Sequence, residues 1–301
     1  MTVTTQLLAG EVGLLVHGGA GDVPPQLRDE HVAGCREAAR AGYAVIAEGG
    51  SALDAVQQAS RVLERLPQFN AGLGAALNAD GEVEHDAAIA CGERFRAGAV
   101  CALRGFANPI DAARAVLEEG RHVLLAGEGA ARFARERGLP PVDPASLVTE
   151  RARERLAKVL GGTSPAGWAG GTIGAVARDA RGRLAAATST GGTVGKRPGR
   201  VGDSPIVGAG TLAEPGSAAL SATGDGEGIL MIGLGHRVAM AIAEGRSAEE
   251  AIARELVRMR ERTSATGGLI AALAQGGFVW GRTTATMSWA LLSSAGEDAG
   301  I

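Results

Sequence analysis

The chain has 301 residues, 47 of them glycine, about 16 % against a typical ~7 %, and only 3 % are aromatic. With 46 % apolar residues and no every-third-residue glycine period, collagen-like and disordered classes are excluded, and the core must be built from Ala, Val, Leu and Ile. A net charge of −3 and a pI near 6.0 leave no broad cationic footprint for nucleic acid or an anionic membrane, and no apolar run approaches the ~20 residues of a membrane span. The opening M-T-V-T-T-Q-L-L-A-G-E has neither a basic start nor a long apolar stretch, so no secretory signal is expected. Cys35, Cys91 and Cys101, odd in number and without C-x-x-C spacing, argue against a disulfide framework or a zinc site and favour a cytoplasmic protein.

In chain order, the apolar run 12–16 reads as a buried strand ending in a glycine loop, H-G-G-A-G, at 17–21. Helical spacing over 26–48 stops at Gly49-Gly50. Ser51, with Asp54 three residues on, caps a second helix that runs to about Pro67. The stretch 69–78 reads as a loop feeding strands near 83–90 and 97–104. Asn108-Pro109 opens a helix to about Glu119, a strand-like piece follows at 122–125, and a helix spans 128–137. Residues 138–171 are linker-like: a proline cluster, a charged helix at 145–159 and a loose tail, G-G-T-S-P-A-G-W-A-G-G. The strongest β signal is the hairpin 172–178 and 184–190 around D-A-R-G. A second glycine-rich region covers 191–228. Helices follow at about 235–244 and 247–262, and a hairpin at 267–280 closes the pattern. Strands clustered at the beginning, middle and end, with helix pairs between them, imply a layered α+β fold.

Three segments carry chemistry. In G-G-T-I-G-A-V (170–176), cutting the Gly171–Thr172 bond would give Thr172 a free α-amine beside its own hydroxyl, a nucleophile with its own base. By these residues alone Thr172 reads first as an ordinary strand opener. In R-P-G-R-V-G-D (197–203), Arg200 offers a fork for a carboxylate and Asp203 acceptors for an ammonium, so the pair could grip a zwitterion. Taken alone it reads first as a surface ion pair. S-A-T-G-D-G-E-G (221–228) suits an oxyanion hole and a plain turn equally. T-G-G-T-V-G-K-R (190–197) fails as a phosphate loop, because Thr190 replaces its first glycine and Arg197 its Ser/Thr. V-G-A-G-T-L-A (207–213) matches G-x-G-x-x-A, but Glu214-Pro215-Gly216 would break the helix a dinucleotide-binding module requires. The five histidines show no metal-ligand spacing, and His17 reads as structural.

Taken together, H-G-G-A-G (17–21), F-N-A-G-L-G (69–74), R-A-G-A-V (96–100), G-E-G-A (127–130), G-T-I-G-A-V-A-R-D (171–179), L-A-A-A-T-S-T-G-G (184–192), P-G-R-V-G-D-S-P (198–205) and T-G-D-G-E (223–227) resemble the motifs of the plant-type asparaginase/isoaspartyl aminopeptidase family of N-terminal nucleophile (Ntn) hydrolases. The resemblance runs from about residue 12 to 290. It implies one domain over 1–301, a four-layer αββα sandwich, that cuts itself at Gly171–Thr172 into an α subunit, 1–171, and a β subunit, 172–301. It implies Thr172 as nucleophile with Thr190 beside it, and Thr223 and Gly224 as the oxyanion hole with Asn70 on the same side. Arg200, Asp203 and Gly226 then hold the α-carboxylate and α-amine of the substrate, with Thr223 and Gly224 also in contact. The implied reaction releases aspartate from L-asparagine and from β-aspartyl dipeptides through a β-aspartyl ester. No catalytic cofactor is implied. A structural sodium would sit on the backbone carbonyls of Leu63, Glu64, Leu66, Phe69, Ala71 and Leu73, and two αβ units would pair as a homodimer. The nearest rival is glycosylasparaginase-like hydrolysis, and the rival of another class is the dinucleotide-binding module. Two departures bear on substrate preference: A-C-G at Cys91 where M-D-G is common, and a final segment (281–290) closer to T-S-M-x-W-A.

Overall fold

The computed structural model describes residues 2–163 and 171–301; most of the tail that follows residue 160 lies outside the described residues. In chain order the elements are β1 (Thr4–Leu8), β2 (Gly13–Gly21), α1 (Arg28–Ala47), α2 (Ala52–Arg65), β3 (His85–Cys91), β4 (Arg96–Leu103), α3 (Pro109–Glu119), β5 (Leu124–Ala126), α4 (Gly127–Glu136) and α5 (Glu150–Leu160). From residue 171 onward come β6 (Ile173–Arg178), β7 (Leu184–Thr190), β8 (Thr211–Ala213), β9 (Ala218–Gly224), α6 (Gly226–Ile232), α7 (Leu234–Ala243) and α8 (Ala248–Thr263). β10 (Gly267–Leu273), β11 (Phe278–Arg282), β12 (Thr286–Ser293) and β13 (Gly296–Gly300) complete the chain. The fold is α+β, as expected.

Two sheets organise it. One has the order β13-β12-β2-β6-β7-β3-β4-β5, the other β1-β11-β10-β9-β8. Helices α1, α2 and α3 pack on the first sheet, α7 and α8 on the second, and β2, β6 and β7 meet β9 and β10 between them. The apolar layer between the sheets includes Leu15, Val176, Ala186, Ile270 and Phe278, with Trp280 and Trp289 stacked at a centroid distance of 5.7 Å. Among the described residues no single helix is long and apolar enough to cross a membrane.

Local chemistry explains the helix starts. Ser51 accepts the Asp54 N–H at 3.1 Å to cap α2, and Thr149 and Ser247 cap α5 and α8 in the same way. Several expectations give way to pairing. The H-G-G-A-G segment is not a loop but the second half of β2, which pairs with β12 as far as Gly21 and with β6 as far as His17. Its Gly18 is there for contact: a Cβ would lie 2.3 Å from the Phe69 ring. The 191–228 region contains two strands, β8 and β9, and the short helix α6. V-G-A-G-T-L-A runs into β8 rather than a helix, which removes the dinucleotide-binding fold. The hairpin at 267–280 is not last, since β12 follows it into the larger sheet beside β2, with β13 on the edge.

Close backbone approach also sets the packing of α3 on β4. A Cβ on Gly98 would lie 2.2 Å from both Ala113 O and Leu117 N, backbone atoms that move only with the whole helix. Gly98→Ala should therefore destabilise the fold by about 1–3 kcal/mol, seen as a lower urea midpoint at unchanged slope. An unchanged midpoint would show that α3 has room to shift.

Candidate active site

A cavity of about 240 Å3 opens at the ends of β2, β6, β7 and β9, and Asn70, Gly171, Thr172, Thr190, Gly224 and Gly226 form part of its wall. Arg200 and Asp203 line it as well. Antiparallel register brings the first pair together: Ile173 lies opposite Ser189, so Thr172 and Thr190 fall next to each other at the mouth. The buried Thr172 Oγ1 donates to Thr190 Oγ1 at 3.2 Å, and Thr190 Oγ1 also accepts the Gly192 N–H at 3.0 Å. Gly171 has φ +84°, and a Cβ there would sit 2.3 Å from Gly19 Cα, so only glycine fits before Thr172.

Asn70 spends its side chain on backbone: Nδ2 donates to Gly192 O at 2.7 Å and Oδ1 accepts the Ala76 N–H at 2.7 Å. This ties the 69–76 loop to the segment after β7. Thr223 stands slightly apart from the other candidates. It is fully buried behind the cavity wall, where Oγ1 accepts the Ala20 N–H at 3.1 Å, while the following Gly224, at φ +138°, forms the wall itself.

The Arg200–Asp203 pair differs from a surface ion pair. Arg200 donates through Nε and Nη2 to both oxygens of Glu227, at 3.0 and 2.8 Å, and not to Asp203. Asp203 is 4 % exposed, and its Oδ2 has no hydrogen-bond partner among the described residues. Burial pushes its carboxyl up to about 7, against a smaller downward pull from its own backbone N–H and Arg200. A Cβ on Gly226 would come within 2.8 Å of Asp203 Oδ1 and 2.9 Å of Arg200 Nη2, so this glycine leaves the space between the two charges. An orphaned acceptor beside that space is an arrangement for a cationic group.

Residues the sequence reading did not single out hold this loop. The Gly199 N–H donates to Glu84 Oε2 at 3.0 Å and the Gly202 N–H to Asp86 Oδ2 at 3.1 Å, so two carboxylates fix the amides on either side of Arg200. Lys196, itself buried, donates to Glu84 O at 2.9 Å and faces both acids. Behind the cavity a chain of polar side chains crosses between the sheets. His17 Nε2 lies 2.9 Å from Ser221 Oγ, which lies 2.8 Å from Thr188 Oγ1, and Thr211 Oγ1 is 2.6 Å further on. Burial lowers His17 to about 3, so the ring is neutral, in keeping with the structural reading. A signal for Glu84 and Asp86 exists only in hindsight, in their spacing two apart where the chain enters β3.

The 63–73 loop was the candidate for a cation. Gly72, at φ +53°, and Gly74 bring backbone close to backbone there: a Cβ would fall 2.2 Å from Glu64 O and 2.0 Å from Phe69 O respectively. The Glu64 side chain is not available to a ligand. It accepts from Ser189 Oγ, Asn108 Nδ2 and Ile110 N, and burial raises it to about 8. Among the described residues no group of three or more His, Cys, Asp or Glu side chains could hold a metal ion.

The Asp203 environment has a thermodynamic signature. The folded chain holds the Asp203 proton more tightly than the unfolded chain, so its contribution is favourable below the ordinary value of 3.8 and is lost as pH rises through about 7. Asp203→Asn cannot ionise and escapes that loss. Its thermal midpoint should gain on that of the parent as pH rises from about 4 to about 7, then keep a constant lead. A pH-independent difference would rule out a buried, proton-binding Asp203.

Comparison with known proteins gives a consistent picture. A family model described as Asparaginase matches residues 10–301. The isoaspartyl peptidase/L-asparaginase of Homo sapiens is 44 % identical over 282 residues, covering 92 % of each chain. The protein of the same name from Bos taurus is 43 % identical over 293 residues, 96 % of this chain and 95 % of its own. That from Danio rerio is 43 % identical over 281 residues, 92 % of this chain and 91 % of its own. With the whole length matched at such identity, the chain belongs to the asparaginase family.

Proposed function

We propose that this chain is an amidohydrolase that releases aspartate from L-asparagine and from β-aspartyl dipeptides, using a Thr172 freed by its own cleavage of the Gly171–Thr172 bond. The observation that carries the reading is the placement of Thr172: a buried hydroxyl hydrogen-bonded to Thr190 in the wall of a cavity that also holds Arg200 and Asp203. The names of the relatives supply the substrate class. The stacking of helices, two sheets and helices is then the four-layer αββα sandwich of Ntn hydrolases, built as one domain with subunits 1–171 and 172–301. A cytoplasmic setting fits the three free, buried cysteines, and two αβ units would form a homodimer.

The chemistry follows from the residues. Once cut, Thr172 carries an α-amine, a group with an ordinary pKa of ~7.7–8.0 and thus partly neutral near pH 7. That amine takes the proton as Oγ1 attacks the side-chain carbonyl of the substrate. Thr190 holds the hydroxyl in place. Negative charge developing on the carbonyl oxygen is met on the Gly224 side, with Thr223 behind it and Asn70 nearby. The leaving amine departs with the proton, a β-aspartyl ester remains on Thr172, and water activated by the same amine releases aspartate. Arg200 takes the α-carboxylate, and the α-ammonium enters the space beside Gly226 to meet Asp203, which its charge brings back to the ionised form. A sodium ion would be held by the carbonyls of Leu63, Glu64, Leu66, Phe69, Ala71 and Leu73, hard oxygen donors suited to a hard cation. It would brace the loop that presents Asn70.

Two measurements test this. Thr172→Ala should remain one uncut chain and release no aspartate, whereas Thr172→Ser should cut slowly; full activity from a preparation whose mass shows only the intact chain would overturn the mechanism. Asp203→Ala should lower kcat/KM by roughly 30- to 3000-fold, or about 2–5 kcal/mol, for asparagine and β-aspartyl dipeptides alike. Self-cleavage should persist, because the Gly171–Thr172 bond presents no free α-amine. Turnover within about threefold of the parent would mean that Asp203 does not hold the substrate.

A further inference from the structure

The cavity wall also takes in a residue far from Arg200 and Asp203 in the chain, on the short segment between β11 and β12. Thr284 on that segment forms part of the wall, as does Gly21 at the end of β2. Arg282, the last residue of β11, folds back onto this segment, and its Nη1 donates to the carbonyls of Thr284 and Ala285.

Sheet register decides which face Arg282 uses. It stands opposite Gly268, which stands opposite Thr223, so the three form one lateral row with side chains on a common face. Thr223 turns its hydroxyl to Ala20 of the facing sheet, and Trp280, two residues before Arg282, packs between the sheets. Arg282 therefore lies on the inter-sheet face, in the same row as the residue behind the proposed oxyanion site. Its backbone is two strand spacings from that of Thr223, about 9.5 Å.

The charge at this end meets an aromatic face but no acid: the Arg282 guanidinium carbon lies 6.0 Å from the Trp280 ring centroid. Among the described residues neither Arg282 nor Arg28 has a carboxylate partner. Arg28 Nε donates to Val23 O; the Val23 N–H in turn donates to Thr286 Oγ1, which also contacts Gly21 O. Arg282 thus contacts the Thr284 side of the Gly21–Thr284 rim directly, and Arg28 is joined to its Gly21 side through Val23 and Thr286. Arg282 Nε is buried without a hydrogen-bond partner among the described residues, and burial together with repulsion from Arg28 lowers the Arg282 pKa from its ordinary value. An anion at this rim would relieve both costs.

We propose that Arg282, with Arg28 behind it, receives the α-carboxylate of the leaving amino acid, so that the chain favours β-aspartyl dipeptides with a free C-terminal carboxylate over their amides. This rests on the amidohydrolase reading above. When asparagine is cleaved the leaving group is ammonia, which offers Arg282 nothing. In a β-aspartyl dipeptide the leaving residue carries a carboxylate three bonds beyond the scissile carbonyl carbon, on the side opposite the aspartyl α-carbon. Arginine is the residue whose planar fork suits such a group.

The test measures kcat/KM for β-aspartyl-leucine, β-aspartyl-leucinamide and asparagine with the processed parent and with Arg282→Gln. The parent should prefer the free acid to the amide by about tenfold or more, the range of a hydrogen bond to a charged group, and in Arg282→Gln the ratio should approach one. A parent that treats acid and amide equally, or a variant that keeps the preference of the parent, overturns this inference and leaves the amidohydrolase reading intact. A processed parent that hydrolyses none of the three overturns both. If Arg282→Gln does not fold, Arg282→Lys decides: it keeps the charge but loses the planar fork, so its acid-to-amide ratio should fall below that of the parent, and an unchanged ratio overturns the inference.

Discussion

The register of a single strand pair governs the site. With Ile173 opposite Ser189, Thr172 and Thr190 meet at the mouth of the cavity, and the pairing of β7 with β3 sets Asp86 opposite Thr190. Glu84, just before β3, and Asp86 within it then reach the amides on either side of Arg200. A slip of one residue in β6 would turn the Thr172 side chain to the other face of the sheet and break every one of these relations. That register is secured by burial, since all but the last residue of β6 and all of β7 are buried between helices on one side and the second sheet on the other.

The unusual composition answers a spatial demand. Where the site is tightest, backbone touches backbone: Gly171 against Gly19, and Gly224 against Gly267, with would-be Cβ contacts of 2.3 and 2.4 Å. Alanine plays the same part in the sheets, where Ala175, Ala177, Ala185 and Ala187 let α2 and its neighbours approach closely. Thin layers of this kind contribute little apolar area per residue, and the few large side chains, such as Phe69, Phe278 and the tryptophan pair, fill what remains. Polar groups caught between the sheets are joined to one another, as His17, Ser221, Thr188 and Thr211 are, which spares them most of the cost of lost hydration.

Elements with local signals were legible in the sequence. Ser51 and Asp54 announced α2, Asn108-Pro109 announced α3, and the two strand-like runs on either side of the D-A-R-G turn announced β6 and β7. Strands made of weak β-formers were not. A-A-L-S-A-T-G and G-E-D-A-G become β9 and β13 only because neighbouring strands complete their hydrogen bonds, and H-G-G-A-G extends β2 for the same reason. At the site, the residues close in sequence to a recognisable motif were found, whereas their long-range partners were not. Nothing near Arg200 in the chain reveals that its guanidinium rests on Glu227, or that Asp203 is buried with an oxygen left over.

The order of strands carries a consequence for a chain severed between residues 171 and 172. In the larger sheet β13 and β12 would belong to the later fragment, β2 to the earlier, β6 and β7 to the later, and β3, β4 and β5 to the earlier again. In the smaller sheet β1 of the earlier fragment would border β11 of the later one. The fragments are woven through each other, so neither can be withdrawn without unzipping the centre of a sheet. Severed in this way, the protein would still travel as one body under native conditions. Once its halves were parted in denaturant, they would have to find each other by diffusion, and recovery would become a bimolecular process that slows on dilution. The intact chain, with its two parts tethered, refolds under no such constraint.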